Sequence, residues 1–229
     1  MRVIVIGATQ GLGFELARVF LANGHTVAAG ILERETPPAL AALQKEHGER
    51  LLVFPADVRN EKEIAAGAKV CEAFLGKADA LINVAGVLLP VDRVCPLHEC
   101  DIAELRATFE VNTIGAIIVV KYFYPVMARG GALITVTSEG VGVKHAGDWV
   151  PCYALSKTAA TKIAGIMNVT VSDVGFYAVH PGRMNTEMGR TTAQIEPQES
   201  ALGLYRLLTE KSLSRTEWYI NYKGEPMEA

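Results

Sequence analysis

Val3-Ile4-Val5-Ile6-Gly7-Ala8-Thr9-Gln10-Gly11-Leu12-Gly13 is the stretch that decides the fold. Four successive apolar residues, all of them β-branched, predict a strand covered on both faces. Glycines at 7, 11 and 13 follow at once, and the apolar periodicity of Leu12–Asn23 then predicts a helix. A strand, a glycine turn and a helix bring backbone N–H groups and the positive end of a helix dipole to one point, which suits a pyrophosphate. The spacing is GxxxGxG, not the commoner GxGxxG. Gly7, Thr9, Gln10, Gly11, Leu12 and Gly13 are the candidate contacts.

The rest of the chain repeats the alternation. Further strands are expected at Thr26–Ala29, Leu51–Phe54, Ala80–Asn83, Ala132–Thr137, Gly175–Val179 and Trp218–Asn221. Helices are expected at Pro38–Glu46, Glu61–Leu75, Asp101–Ala128, Cys152–Met167 and Gln198–Leu208. Such alternation predicts an α/β fold, a doubly wound parallel sheet of about seven strands with helices on both faces. With no repeat or linker, residues 1–229 read as a single domain.

Composition excludes several classes. Of 229 residues 50% are hydrophobic and 21% charged, with net charge −3, so neither nucleic acid nor an anionic membrane is expected as partner. The longest apolar run, Ile114 to Val120, is too short to span a bilayer. The first strand begins at the N-terminus and leaves no room for a signal peptide, so a cytoplasmic location is expected. Cys71, Cys95, Cys100 and Cys152 have no metal-ligand or CxxC spacing and read as reduced thiols, with Cys152 notable because it adjoins Tyr153. No metal is expected.

Two more clusters fall at strand ends, where such sheets bind ligands. Asp57 and Val58 follow the third strand; Asp57 would accept from an adenine amino group, cap the next helix, or both. Asn83-Val84-Ala85-Gly86 ends the fourth. Tyr153 and Lys157 lie four apart at the start of a helix and so share a face. A cation about 4 Å from a phenol favours the phenolate by up to ~4 kcal/mol at an effective dielectric of 20, about three pKa units before burial opposes it. Tyr219 and Lys223 repeat the spacing, but Gly224 and Pro226 follow, so these two are not expected to share a helix face.

Gly7/Gly11/Gly13, Asp57, Asn83–Gly86, Asn112 in Val-Asn-Thr, Ser138, Tyr153/Lys157 and His180-Pro181-Gly182 together resemble the short-chain dehydrogenase/reductase family over almost the whole length. Pro181–Gly189, Glu196–Ser200 and Tyr222–Glu225 are most similar to its compact C-factor-like and sniffer-type carbonyl reductases. The resemblance implies a single Rossmann domain whose residues from about 180 to 229 complete the substrate pocket. It implies hydride transfer between NAD(P) and a carbonyl or alcohol, and a catalytic tetrad of Asn112, Ser138, Tyr153 and Lys157. Tyr153 would exchange the proton, Ser138 would hydrogen-bond the same oxygen, Lys157 would hold the nicotinamide ribose, and Asn112 would anchor a water leading to Lys157. Tyr153, Lys157, Pro181, Gly182 and Thr186 join the cofactor set, and a homodimer or homotetramer is implied. An alternative is a cofactor-binding regulator with vestigial catalysis.

Departures mark the uncertain parts of the pattern. Thr137 stands where the family commonly has Ser or Asn. Ser138 and Tyr153 lie about two residues farther apart than expected, the extra length falling in Glu139–Pro151, and the helix after Lys157 looks about two residues short. After the second strand Ile31 or Leu32 occupies the position of an NAD-selecting acid, and Arg34 would reach a 2′-phosphate, so NADP(H) is favoured over NAD(H) although Glu33 argues the other way. Leu88, Leu89, Val141, His145, Trp149, Met184 and Met188 are expected to line the substrate pocket. Arg183 would pair with a substrate carboxylate or serve as a structural charge.

Overall fold

A computed structural model describes residues 1–142, 149–189, 193–210 and 213–228. Seven strands form one sheet: β1 (Arg2–Ile6), β2 (Thr26–Ile31), β3 (Leu51–Pro55), β4 (Ala78–Asn83), β5 (Met127–Val136), β6 (Gly175–His180) and β7 (Tyr219–Asn221). Their order is β3-β2-β1-β4-β5-β6-β7, and every pairing is parallel. The chain winds outward from β1 in both directions, so the switch in strand order lies between β1 and β4. The carboxyl ends of these two strands diverge there and leave a crevice.

The strand centres are apolar because each face has its own helical cover. Val3 and Val5 pack with Leu16 and Phe20 of α1 (Gly11–Ala22), Leu40 of α2 (Pro38–His47), and Leu204 of α7 (Pro197–Thr209). Ile4 and Ile6 pack on the other face with Ile64 of α3 (Glu61–Leu75), Phe123 of α5 (Gly115–Phe123) and Ala164 of α6 (Pro151–Thr170). The doubly wound parallel sheet expected from the sequence is thus present. Between β1 and α1, a Cβ on Gly13 would lie 2.0 Å from the Gly7 carbonyl oxygen, so only glycine lets the helix seat on its own turn.

The expected helix Asp101–Ala128 is not one helix. The structure has α4 (Ile102–Phe109), a π-type turn over Glu110–Ile114, α5, and a short 3₁₀ turn over Tyr124–Val126. Pro125 has no N–H to continue the ladder, and Met127 already belongs to β5. Beyond Lys157, α6 runs on to Thr170, past the expected end at Met167. Among the described residues no helix is long and apolar enough to cross a membrane.

Candidate active site

Two cavities open at the carboxyl edge of the sheet and meet at Tyr153. The first, about 560 Å³, is lined by residues that follow β1, β2, β3 and β4: Gly7, Thr9, Gln10, Gly11 and Leu12; Leu32 and Glu33; Asp57 and Val58; Ala85 and Gly86. Tyr153, Lys157, Pro181 and Thr186 complete it. The second, about 670 Å³, holds Ser138, Tyr153 and Gly182 beside Leu88, Val141, Trp149, Met184 and Met188. Thr137 lines both, and its Oγ1 is buried without a hydrogen-bond partner.

The first cavity fits a dinucleotide by its own chemistry. Gln10 precedes α1 without a side-chain cap, and the first turn carries no acid, so its N–H donors are open to an anionic group. Asp57 lines the cavity with its carboxylate held by Arg59, Oδ2 lying 2.7 Å from the guanidinium, and this pairing keeps its pKa low. The next helix is capped by Asn60, whose Oδ1 accepts from the Glu63 N–H at 3.3 Å, so capping is not the work of Asp57. Asn83 does not line the cavity; its Oδ1 accepts from the Ala85 N–H at 3.2 Å and shapes the turn that does. Gly13 likewise acts through the seating of α1.

Arg34, expected at the ribose end, is exposed and absent from the lining, where Leu32, Glu33 and Arg59 stand. The reason is strand length. β2 continues to Ile31, two residues past its expected end, which carries Arg34 beyond the crevice. Glu33 Oε2 accepts from the Thr9 hydroxyl at 2.5 Å. Arg59 was missed because its position depends on the turn after β3, although its nearness to Asp57 was a readable signal.

α6 presents Tyr153 and Lys157 on one face, as their spacing requires. Lys157 is only 3% exposed; its Nζ donates to the Val136 carbonyl at 2.9 Å and lies 5.7 Å from the Tyr153 ring centre. Burial pushes the lysine down to about 8. Burial also pushes the Tyr153 phenol up to about 12, with Arg93 pulling the other way. The sequence reading set the pull of Lys157 against burial, and the net direction at the phenol is upward. With the phenol pushed up in this way, Tyr153 keeps its proton at neutral pH.

Asn112 sits within the π-type turn, 1% exposed. Its Oδ1 accepts from the Val87 N–H at 2.8 Å, while Nδ2 donates to the Val87 carbonyl and to Ser156 Oγ, both at 2.9 Å. These bonds tie the loop after β4 to α6. A Cβ on Gly86 would come within 2.9 Å of Lys157 Nζ and 3.2 Å of Asn112 Oδ1, so the glycine leaves room where the two converge. Ser138 caps the short turn Glu139–Val141, its Oγ accepting from the Gly140 N–H at 3.3 Å.

Other expectations divide. Leu88, Val141, Trp149, Met184 and Met188 line the second cavity, Leu89 faces a small void beside Cys152 instead, and His145 lies outside the described residues. Arg183 lines the second cavity with its Nε 2.5 Å from Glu139 Oε1, so its charge is already paired. Cys152 is buried and its thiol is pushed up to about 12 by burial and by Asp92, which disfavours the thiolate at neutral pH. Tyr219 and Lys223 share no helix: Tyr219 belongs to β7 and its hydroxyl donates to the Ser138 carbonyl at 2.8 Å.

A Rossmann-type nucleotide cavity opening through a tyrosine–lysine pair onto an apolar chamber is the architecture of a nicotinamide-dependent oxidoreductase. The family model described as short chain dehydrogenase matches residues 1–197, and this chain belongs to that family. It is 31% identical over 188 residues to the 2,3-dihydro-2,3-dihydroxybenzoate dehydrogenase of Bacillus subtilis, a match spanning 80% of this chain and 70% of that one. Among solved structures, the carbonyl reductase Sniffer of D. melanogaster aligns with a TM-score of 0.89 at 21% identity, covering 100% of this chain and 99% of the other. A carbonyl reductase from Pseudomonas aeruginosa PAO1 in complex with NADP aligns at 0.83 and 25% identity, with the same coverage. The chain is thus an NAD(P)-linked oxidoreductase acting on small molecules at CH–OH or C=O groups.

Proposed function

We propose that this protein is an NAD(P)H-dependent carbonyl reductase in which Tyr153 is the proton donor, running as an alcohol dehydrogenase in reverse. The observation that carries the reading is the place of Tyr153, in the wall common to both cavities and beside Lys157. A nicotinamide bound in the first cavity would supply the hydride. Tyr153 gives its phenolic proton to the substrate oxygen as negative charge develops there, and Ser138 Oγ donates a hydrogen bond to the same oxygen. Lys157, which lines the first cavity, would hold the nicotinamide ribose. Asn112 fixes Val87 and Ser156, which frame the lysine. The apolar walls of Leu88, Val141, Trp149 and Met184 favour a medium-sized apolar or aromatic ketone or aldehyde.

The domain is single, its residues after β6 closing the chamber. The four cysteines are free thiols, which fits a cytoplasmic protein. Ile117 on α5 and Leu155, Ile166 and Val169 on α6 are exposed, Val169 at 90%, and this apolar surface supports homo-oligomerisation through those helices.

NADP(H) is the favoured cofactor, supported by the NADP complex of the Pseudomonas neighbour. Glu33 limits that preference, since a carboxylate beside the ribose repels a 2′-phosphate. A panel of ketones and aldehydes with each cofactor tests the whole reading: NADPH should give the higher kcat/KM, and NADH at least as efficient would sink the cofactor assignment. Glu33→Gln should raise the NADPH-over-NADH ratio by about tenfold, the effect of roughly 1.4 kcal/mol. An unchanged ratio would remove Glu33 from the ribose site.

A further inference from the structure

Ser138 and Tyr153 flank the lengthened segment Glu139–Pro151, yet each is tied down from outside it. At the far end, α6 begins badly by local standards. Val150 precedes it in the left-handed region at φ 49° and ψ 57°, and no side chain in sequence caps the first turn. A β-branched residue is strained there. The missing cap comes from Asp92, in the short 3₁₀ turn Pro90–Arg93 that follows β4. Its Oδ1 accepts from the Cys152 N–H at 2.9 Å and its Oδ2 from the Tyr153 N–H at 2.8 Å. Asp92 is 5% exposed, and a buried carboxylate spanning two helix N–H groups is a strong, directional anchor. At the near end, the buried Tyr219 of β7 donates to the Ser138 carbonyl.

We infer that Asp92 and Tyr219 are positioning residues which hold the backbones of Tyr153 and Ser138 in register from outside the segment that joins them. The inference rests on the roles proposed above for Ser138 and Tyr153. Neither positioning residue is catalytic: both act on main-chain atoms.

The test is Asp92→Asn and Tyr219→Phe beside wild type. Steady-state kinetics, fluorescence titration of NADPH and amide hydrogen exchange are measured on each. Asparagine keeps the shape but turns an NH₂ toward one of the two N–H groups. Exchange at Cys152 and Tyr153 should quicken roughly tenfold in this variant. Its kcat should fall by about 10- to 100-fold, as expected when a reacting group shifts by up to an ångström, while cofactor affinity and KM stay within about twofold. Tyr219→Phe, which removes one hydroxyl, should lower kcat by roughly three- to tenfold with the same split, and it decides the matter if Asp92→Asn does not fold. Folded variants with wild-type kcat, or variants that lose kcat only as far as they lose cofactor binding, overturn the positioning role. A wild type inert over the whole panel instead overturns the function beneath it.

Discussion

Tyr153→Phe is expected to lower kcat for carbonyl reduction by about 10³-fold, while NADPH affinity changes by less than about threefold. The ring is kept and only the hydroxyl goes, so the wall between the two cavities and its contact with Lys157 persist. The phenol is pushed up to about 12, so at neutral pH it carries the proton that reduction consumes. Oxidation of the alcohol needs the phenolate and should therefore quicken as pH rises above neutral, whereas reduction should not. Ser138→Ala removes one hydrogen bond to the same oxygen and should cost about 10²-fold. Single-turnover rates with saturating NADPH measure both effects free of product release. A Phe variant that keeps a tenth of wild-type turnover would mean that another group supplies the proton. Wild type and variant equally inert, with NADPH still bound, would favour the alternative of a cofactor-binding regulator.

What was legible in the sequence was what is local. The run Val3–Ile6, the glycine turn and α1 are contiguous, and each element makes the next necessary, so they could be read directly. The four-residue step from Tyr153 to Lys157 is equally local. Errors arose where an element's end depends on its neighbours. Two extra residues of β2 took Arg34 out of the cavity and left Glu33 in it. Pro125 and the π-type turn broke a helix that its apolar composition alone would extend. The net direction of the phenol's pKa was not legible, because helical spacing gives its distance from the lysine but not its burial. Asp92 and Tyr219 were beyond reach altogether, since their partners lie 60 and 81 residues away in sequence.

Lys157→Met should separate what the lysine does for catalysis from what it does to stability. Turnover should fall by about 10²-fold or more, because the cation beside the phenol and the contact with the ribose are both lost. Stability should respond in a pH-dependent way. The lysine is lowered from 10.5 to about 8, which corresponds to at most ~3 kcal/mol against burying its charge. Below about 8 the folded and unfolded chains both carry the proton, and the folded one bears that cost in full. Between about 8 and 10.5 the folded protein has released a proton that the unfolded chain still holds, so wild-type stability rises with pH relative to the variant. Above 10.5 both forms are neutral and the rise is complete. Loss of the hydrogen bond to the Val136 carbonyl shifts the variant by a constant, about 1–3 kcal/mol, that does not depend on pH in this window. Urea denaturation of both proteins at about pH 7.5 and about pH 10 gives the slope, with Tyr153, Cys71 and Cys152 largely cancelling in the difference. A stability gap that stays level across that window would show that Lys157 does not meet its charge cost in the interior. The proximity of Tyr153 and Lys157 would then have to be explained by packing alone.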